Sequence, residues 1–254
     1  MMDFNERVIP GVSANFLYQE ALARYKFAQK FVKPGIKILD VGCGTGYGSA
    51  ILSEKAKVIG IDNNREAIEF AKKNYGKKIT FKIGTAENLT IKNNAFETVL
   101  AFEVIEHLKY PQIALNEIKR VLKPEGKFIL STPNIKFQPH TRSPYHFQEY
   151  DYQKFLEILV GNFNKVTLFG QNKSKRAKEA LADFMKSQKA RQSLVNSDIF
   201  GIRKLLPKNL KEKVWKYTGS LVGRATQETL RTEDFPITRK DVNKAEYFIA
   251  LCQK

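Results

Sequence analysis

The stretch that most constrains this chain is Lys37-Ile38-Leu39-Asp40-Val41-Gly42-Cys43-Gly44-Thr45-Gly46-Tyr47-Gly48. Ile38 to Val41 is a short apolar run of the kind that forms a buried strand. Glycines then alternate, and Ser49, Ala50, Ile51 and Leu52 open a helical pattern. Glycine lets the backbone turn sharply and lets a ligand lie against the main chain. The helix start beyond it presents free N–H groups. A strand, glycine loop and helix in this order form a nucleotide site, and the rest of the chain must say which nucleotide.

Strand and helix patterns alternate on both sides of the loop. Ala14 to Phe31 reads as an amphipathic helix, with Phe16, Leu17, Ala21, Leu22, Tyr25, Ala28 and Phe31 near one side, ended by Pro34-Gly35. Strands are expected at Lys37–Val41, Lys57–Ile61, Ile79–Ile83, Thr98–Phe102, Lys127–Ser131, Lys165–Phe169 and Glu246–Cys252. Helices fall between them at Ser49–Ala56, Arg65–Tyr75, Pro111–Leu122 and Asp151–Val160. This alternation implies an α/β fold with helices on both faces of a mostly parallel sheet. The expected division is a helical lead-in at 1–34, a core at 35–170 and 233–254, and a helical insertion at 171–232.

Charge singles out that insertion. The chain carries a formal net charge of +17. Residues Gln171 to Arg231 hold 15 Lys and Arg against 5 Asp and Glu. Two helices are expected there, one on Ala177, Leu181 and Phe184, the other on Leu210, Val214, Tyr217 and Leu221 after Pro207. The second carries Arg203, Lys204, Lys208, Lys211, Lys213 and Lys216 around Trp215. That pattern suits an anionic membrane surface, a sugar phosphate or an RNA backbone. The plain alternative is a helical pair packed on the core with solvated lysines. Nucleic acid ranks behind a small acceptor, because no separate RNA-binding module is evident. No apolar run is long enough to span a bilayer and no signal-peptide pattern opens the chain. Cys43 and Cys252 have no metal or redox spacing. A cytoplasmic location is the simplest expectation, with peripheral membrane attachment as the variant.

Asp62 ends the second strand about 20 positions after the glycines, where an acidic side chain accepts hydrogen bonds from ribose hydroxyls. It also stands just ahead of a helix start, so capping is its plain alternative.

At this point the sequence resembles the class I S-adenosylmethionine-dependent methyltransferases. Leu39-Asp40-Val41-Gly42-Cys43-Gly44-Thr45-Gly46 is similar to their first motif. Ile61-Asp62, Ala86-Glu87-Asn88-Leu89, Glu103-x-x-Glu106-His107-Leu108 and Leu122-Lys123-Pro124-x-Gly126 follow in the same order. The resemblance covers about residues 20–170 and the last strand. It implies a Rossmann-like seven-stranded sheet in the order 3-2-1-4-5-7-6, the last strand antiparallel. It implies S-adenosylmethionine as cofactor, with Asp40, Gly42, Cys43, Gly44 and Gly46 at its methionine part and Asp62 at the ribose. Asn63, Thr85, Ala86 and Glu87 fall to the adenine, and Phe102 and Glu103 line the site. Many relatives have Asp where this chain has Thr85, so Glu87 or a backbone carbonyl must serve the adenine amino group. Glu6-Arg7-Val8-x-Pro10, Arg24-Tyr25-x-Phe27-Ala28, Gly46-Tyr47-Gly48 and Pro144-Tyr145-His146-x-x-Glu149-Tyr150 look like methyltransferases of bacterial surface-polysaccharide pathways. In that group the lead-in helix covers the cofactor, and Tyr25 either bonds its carboxylate or packs in the core.

The acceptor side is expected at the ends of the fourth and fifth strands. Glu103, Glu106 and His107 share a face on a helical turn, and His146 follows the fifth strand. Glu106, His107 and His146 are the candidate catalytic residues. Deprotonating a hydroxyl takes a general base or a metal. Glu103, Glu106, His107 and His146 together suit Mg²⁺ or Mn²⁺. The arrangement resembles the small-RNA 3′-terminal 2′-O-methyltransferases and the ubiquinone-pathway O-methyltransferases. Metal-free base catalysis by His107 or His146 is the alternative. His140, in Gln138-Pro139-His140, reads as a surface-loop residue. The expected function is O-methylation of a hydroxyl on a glycan, a lipid-linked sugar or a related small molecule. An RNA 2′-O-methyltransferase and a non-catalytic cofactor-binding protein are the other two readings.

Overall fold

The computed structural model describes residues 7–137, 145–196 and 229–254, with side chains of the long helix described to residue 186. Eight strands form one sheet: β1 Lys37–Val41, β2 Lys57–Asp62, β3 Thr80–Ile83, β4 Phe96–Phe102, β5 Leu122–Pro133, β6 Lys165–Gln171, β7 Ile237–Thr238 and β8 Tyr247–Gln253. Their order is β3-β2-β1-β4-β5-β8-β6-β7. β3 through β5 run parallel; β8 is antiparallel to both β5 and β6. The sequence led to seven strands, and the structure has eight. The additional one, β7, is a two-residue edge strand that pairs Ile237 with Gln171 and Thr238 with Gly170. Two residues cannot display an alternation, so no periodicity announces it. β5 also starts earlier than expected. Phe96 pairs with Leu122, and the register slips before Thr98 pairs with Lys127.

Among the described residues, six helices flank the sheet: α1 Asn15–Gln29, α2 Tyr47–Leu52, α3 Arg65–Tyr75, α4 Pro111–Val121, α5 Tyr152–Val160 and α6 Lys175–Asn196. Successive strand residues point to opposite faces. Thus Leu39 and Val41 join one core layer with Leu115 and Ile118 of α4 and Phe155 of α5. Ile38 joins the other with Phe27 and Ala28 of α1, Leu52 of α2 and Ile68 of α3. Helix starts follow local chemistry. Asn64 caps α3 by accepting from Ala67 N, Asp151 caps α5 by accepting from Lys154 N, and Pro111 is the first residue of α4.

The buried face of α1 differs from the expected stripe. Leu17 is exposed, while Glu20 and Arg24 are buried with Ala21, Tyr25 and Ala28. Hydrophobicity alone could not place two charged residues inside. Lys173, just after β6, meets Glu20 at 2.7 Å, and Arg24 Nη1 donates to Gln171 Oε1 at 2.7 Å. α6 packs Ala177 and Ala180 against Ala23, Leu230 and Phe235, with Phe184 reaching Phe16. The expected second helix of the insertion and His140 lie outside the described residues. Among the described residues, no helix is long and apolar enough to cross a membrane.

Candidate functional site

A cavity of about 800 Å³ opens over the carboxyl ends of β1, β2 and β4 and beneath α1. That volume falls within the range of small-molecule sites. The glycine loop forms its floor. Gly42 N and Cys43 N both donate to Ile61 O, at 2.7 and 3.0 Å, which ties the loop to β2. Gly42 and Gly46 have φ of +71° and +83°, a conformation that L side chains rarely adopt. A Cβ on Gly42 would also stand 2.4 Å from Val104 Cγ2.

Asp62 stands at one side of that floor, only 4% exposed. Its Oδ2 accepts from Gly44 N at 2.8 Å and its Oδ1 from Asn64 N at 2.9 Å. Asn64, not Asp62, caps α3, so the Asp62 carboxylate is left for the cavity. Oδ1 also accepts from Arg7 Nε at 3.1 Å and Nη2 at 2.7 Å. Asn63, Thr85, Ala86 and Glu87 continue the lining along this end.

Asp40 and Gly46 do not line the cavity. Asp40 lies fully buried under the loop, accepting from Ser49 Oγ at 2.5 Å and from Tyr25 OH at 3.3 Å. Burial pushes its pKa up to about 7, against the two hydrogen bonds that favour the charged form. Tyr25 therefore turns its hydroxyl to Asp40. Its ring stands edge-on to Tyr47 and Phe102, over Gly48, where a Cβ would lie 2.1 Å from Tyr25 Cζ.

Arg24 was missed as a site residue because its charge reads as solvent-facing, although its spacing from Ala21 and Ala28 puts it on the buried stripe of α1. It is 5% exposed, lines the cavity, and lies with its guanidinium 4.8 Å from the Tyr247 ring centroid. Among the described residues its buried Nε has no hydrogen-bond partner. Burial works against its charge, but the Glu103 and Glu20 carboxylates outweigh burial and raise its pKa. A buried guanidinium on the lining of a cavity suits a carboxylate.

The other end is built from the turn after β4 and the segment after β5. Glu103, at φ +53°, ends β4, and its Oε1 accepts from Ser131 Oγ at 2.5 Å. Ile105–His107 forms a single tight turn. Glu106 is 2% exposed, and its Oε2 accepts from Thr132 Oγ1 at 3.1 Å. Burial, with Glu103 nearby, raises its pKa well above the usual carboxylate range. Its backbone oxygen accepts from Phe147 N and Gln148 N, at 2.9 and 3.0 Å, which ties the His146 segment to the turn. The His107 and His146 rings meet edge-to-face with centroids 4.8 Å apart. His107 Nδ1 lies 3.2 Å from Tyr145 O; a carbonyl only accepts, so Nδ1 carries the proton and Nε2 is the basic nitrogen. His146 Nδ1 faces Glu149 Oε1 at 3.4 Å. Glu106, His107 and His146 place one ligand atom each within 4.8 Å of one another. Glu103 stands outside that group, engaged on Ser131.

The family described as "Methyltransferase domain" matches residues 32–184. Over 161 residues the chain is 31% identical to a "Probable S-adenosylmethionine-dependent methyltransferase" of Mycolicibacterium smegmatis, covering 61% of this chain and 62% of that one. Over 109 residues it is 35% identical to a ubiquinone biosynthesis O-methyltransferase of Haemophilus ducreyi, covering 39% and 46%. The chain thus spans less than two thirds of the length of these curated relatives. A crystal structure of an S-adenosylmethionine-dependent methyltransferase from Thermotoga maritima has the same fold, with a TM-score of 0.60 at 16% identity over 94% of this chain and 92% of that one. The family match takes in more than half of the chain, including the glycine loop, Asp62 and both cavity histidines, and the chain belongs to the methyltransferase-domain family.

Proposed function

We propose that this chain is an S-adenosylmethionine-dependent O-methyltransferase acting on a hydroxyl of a small molecule, the finer reading being a glycan or lipid-linked sugar. One observation carries the proposal: a single cavity joins the glycine loop and Asp62 at one end to two imidazoles and a buried carboxylate at the other. Bound S-adenosylmethionine supplies a methyl group already activated on a sulfonium. The Gly42–Gly44 backbone and Asp62 are the residues suited to its methionine and ribose, and the Arg24 guanidinium on the cavity lining suits the carboxylate. The chain's own contribution is alignment, a gain of up to about 7–11 kcal/mol, and removal of the acceptor proton. His146 suits the second task, because Glu149 Oε1, 3.4 Å from Nδ1, orients the ring and leaves Nε2 as base. The ubiquinone-pathway relative named above is an O-methyltransferase, which agrees with an oxygen acceptor. α1 serves as the cover of this cavity through Leu17, Glu20, Ala21 and Arg24, and α6 packs on α1 through Phe16 and Phe184.

The clustering of Glu106, His107 and His146 favours a second reading, in which a divalent cation holds the acceptor oxygen. The test is transfer of labelled methyl from S-adenosylmethionine to a panel of hydroxyl acceptors, run with EDTA and with added Mg²⁺ or Mn²⁺. Turnover that survives EDTA supports the histidine base; turnover restored only by metal supports the cation. Transfer to amines alone would overturn the oxygen assignment.

A further inference from the structure

The segment that leads into α1 reaches across the nucleoside end of the cavity. Thr45 Oγ1 donates to Val8 O at 2.7 Å, which fastens the segment to the glycine loop. Ile9 N donates to Ser13 Oγ and Ser13 N to Ile9 O, both at 2.9 Å, closing a turn before the helix. Arg7 crosses the loop beside Gly44, where a Cβ would lie 3.8 Å from Arg7 Cγ. Its guanidinium ends on Asp62 Oδ1 through Nε and Nη2, and Nη2 also donates to Asn63 Oδ1 at 2.8 Å. With Asn64 N also on Oδ1, that oxygen takes three donors, while Oδ2 takes one, from Gly44 N. Two of those donors are backbone groups held by the fold. The other two belong to Arg7, and a side chain can leave. The ion pair is also shielded, with side chains 21% and 4% exposed, unlike an open surface pair.

We infer that Arg7 is a latch on the cofactor site: its guanidinium crowds Oδ1 of Asp62, one of the two carboxylate oxygens that a nucleoside diol engages, and must withdraw before a nucleoside binds. This rests on the reading of Asp62 as the ribose acceptor. The latch weakens apparent affinity by the fraction of time the site is open. A latch closed about nine-tenths of the time weakens it about tenfold. A guanidinium that instead stayed to hold the ligand would strengthen binding, so the two roles have opposite signs.

The experiment is calorimetric titration of the full chain with S-adenosylhomocysteine, comparing the native protein with Arg7→Ala, Arg7→Gln and Asp62→Ala. Arg7→Gln keeps the length and a neutral donor, which guards against a collapsed segment. Both Arg7 variants are expected to bind about tenfold more tightly, and Asp62→Ala to lose binding. Unchanged or weaker binding in both Arg7 variants, with binding still lost in Asp62→Ala, overturns the latch and leaves the ribose assignment standing. Undiminished binding in Asp62→Ala overturns the ribose assignment and the latch with it.

Discussion

The His107 and His146 rings meet edge-to-face with centroids 4.8 Å apart, and the contact is held by the backbone of a third residue, Glu106. Phe147 N and Gln148 N both donate to Glu106 O, which ties the segment carrying His146 to the turn carrying His107. Each Nδ1 faces an oxygen, from Tyr145 or Glu149, which leaves both Nε2 atoms as the basic positions. His146→Ala is expected to lower kcat by about 10²–10⁴-fold, the usual contribution of a positioned base. Its affinity for S-adenosylhomocysteine should not change, because the histidines lie at the far end from Asp62. Steady-state kinetics beside a titration check this. A loss of affinity without a loss of kcat would place His146 in cofactor binding instead.

Arg24 gives a prediction about which part of the cofactor it reads. S-adenosylhomocysteine carries an amino-acid carboxylate and 5′-methylthioadenosine does not. The native protein should therefore prefer the first, and Arg24→Met should remove that preference by about tenfold or more, the scale of a charge-assisted hydrogen bond. Arg24→Met also takes a nearby cation from Glu103, while Glu20 keeps Lys173, so some loss of stability is expected. The ratio of the two affinities separates recognition from stability, since a purely structural defect weakens both ligands alike.

The order of the strands and the glycine loop were legible because both rest on local rules. Apolar runs at Ile38–Val41 and Thr98–Phe102 are buried on both faces, and alternate glycines mark the turn between strand and helix. Burial of charged residues was not legible. Glu20 and Arg24 carry charge on the same α1 face as Ala21 and Ala28, and their partners Lys173 and Gln171 arrive from far along the chain. The same reason hid Arg7, whose role depends on Asp62, 55 positions away. Asp40 was legible as a residue of the loop motif but not as one turned away from the cavity. Strand alternation sends it toward Tyr25 and Ser49, while its neighbours Leu39 and Val41 face the opposite layer.

Gly48 tests how the lead-in helix is seated. Its missing side chain is the space that the Tyr25 ring fills, and an added Cβ would meet Tyr25 carbons at 2.1–2.3 Å. Gly48→Ala must displace the ring and with it the packing of α1 on α2. Overpacking of this kind costs about 1–3 kcal/mol. Trimming the partner should relieve it, so Tyr25→Leu is expected to be less harmful in the Gly48→Ala background than alone. Urea unfolding of the two single variants and the double variant measures the coupling. Strict additivity would mean that the ring does not bear on this glycine.

Asp40 makes stability depend on pH in a direction opposite to that of an ordinary paired carboxylate. Its folded pKa is pushed up to about 7 by burial, against about 3.9 in an unfolded chain. Below about pH 4 both states hold the proton and Asp40 adds no pH dependence. Between about pH 4 and pH 7 the unfolded chain releases the proton while the folded one keeps it, so stability falls as pH rises. Above about pH 7 both are ionised and the folded protein carries the full penalty of a buried charge. Asp40→Asn removes the titrating group and leaves an oxygen for Ser49 and an amide for Tyr25. Its stability relative to the native protein should therefore rise by about 2–3 kcal/mol between about pH 5 and pH 8. Glu106, whose pKa is also raised by burial, titrates in both proteins and cancels in the difference. Urea unfolding of both proteins at the two pH values decides it, and parallel pH curves would mean that Asp40 ionises alike in the folded and unfolded chains.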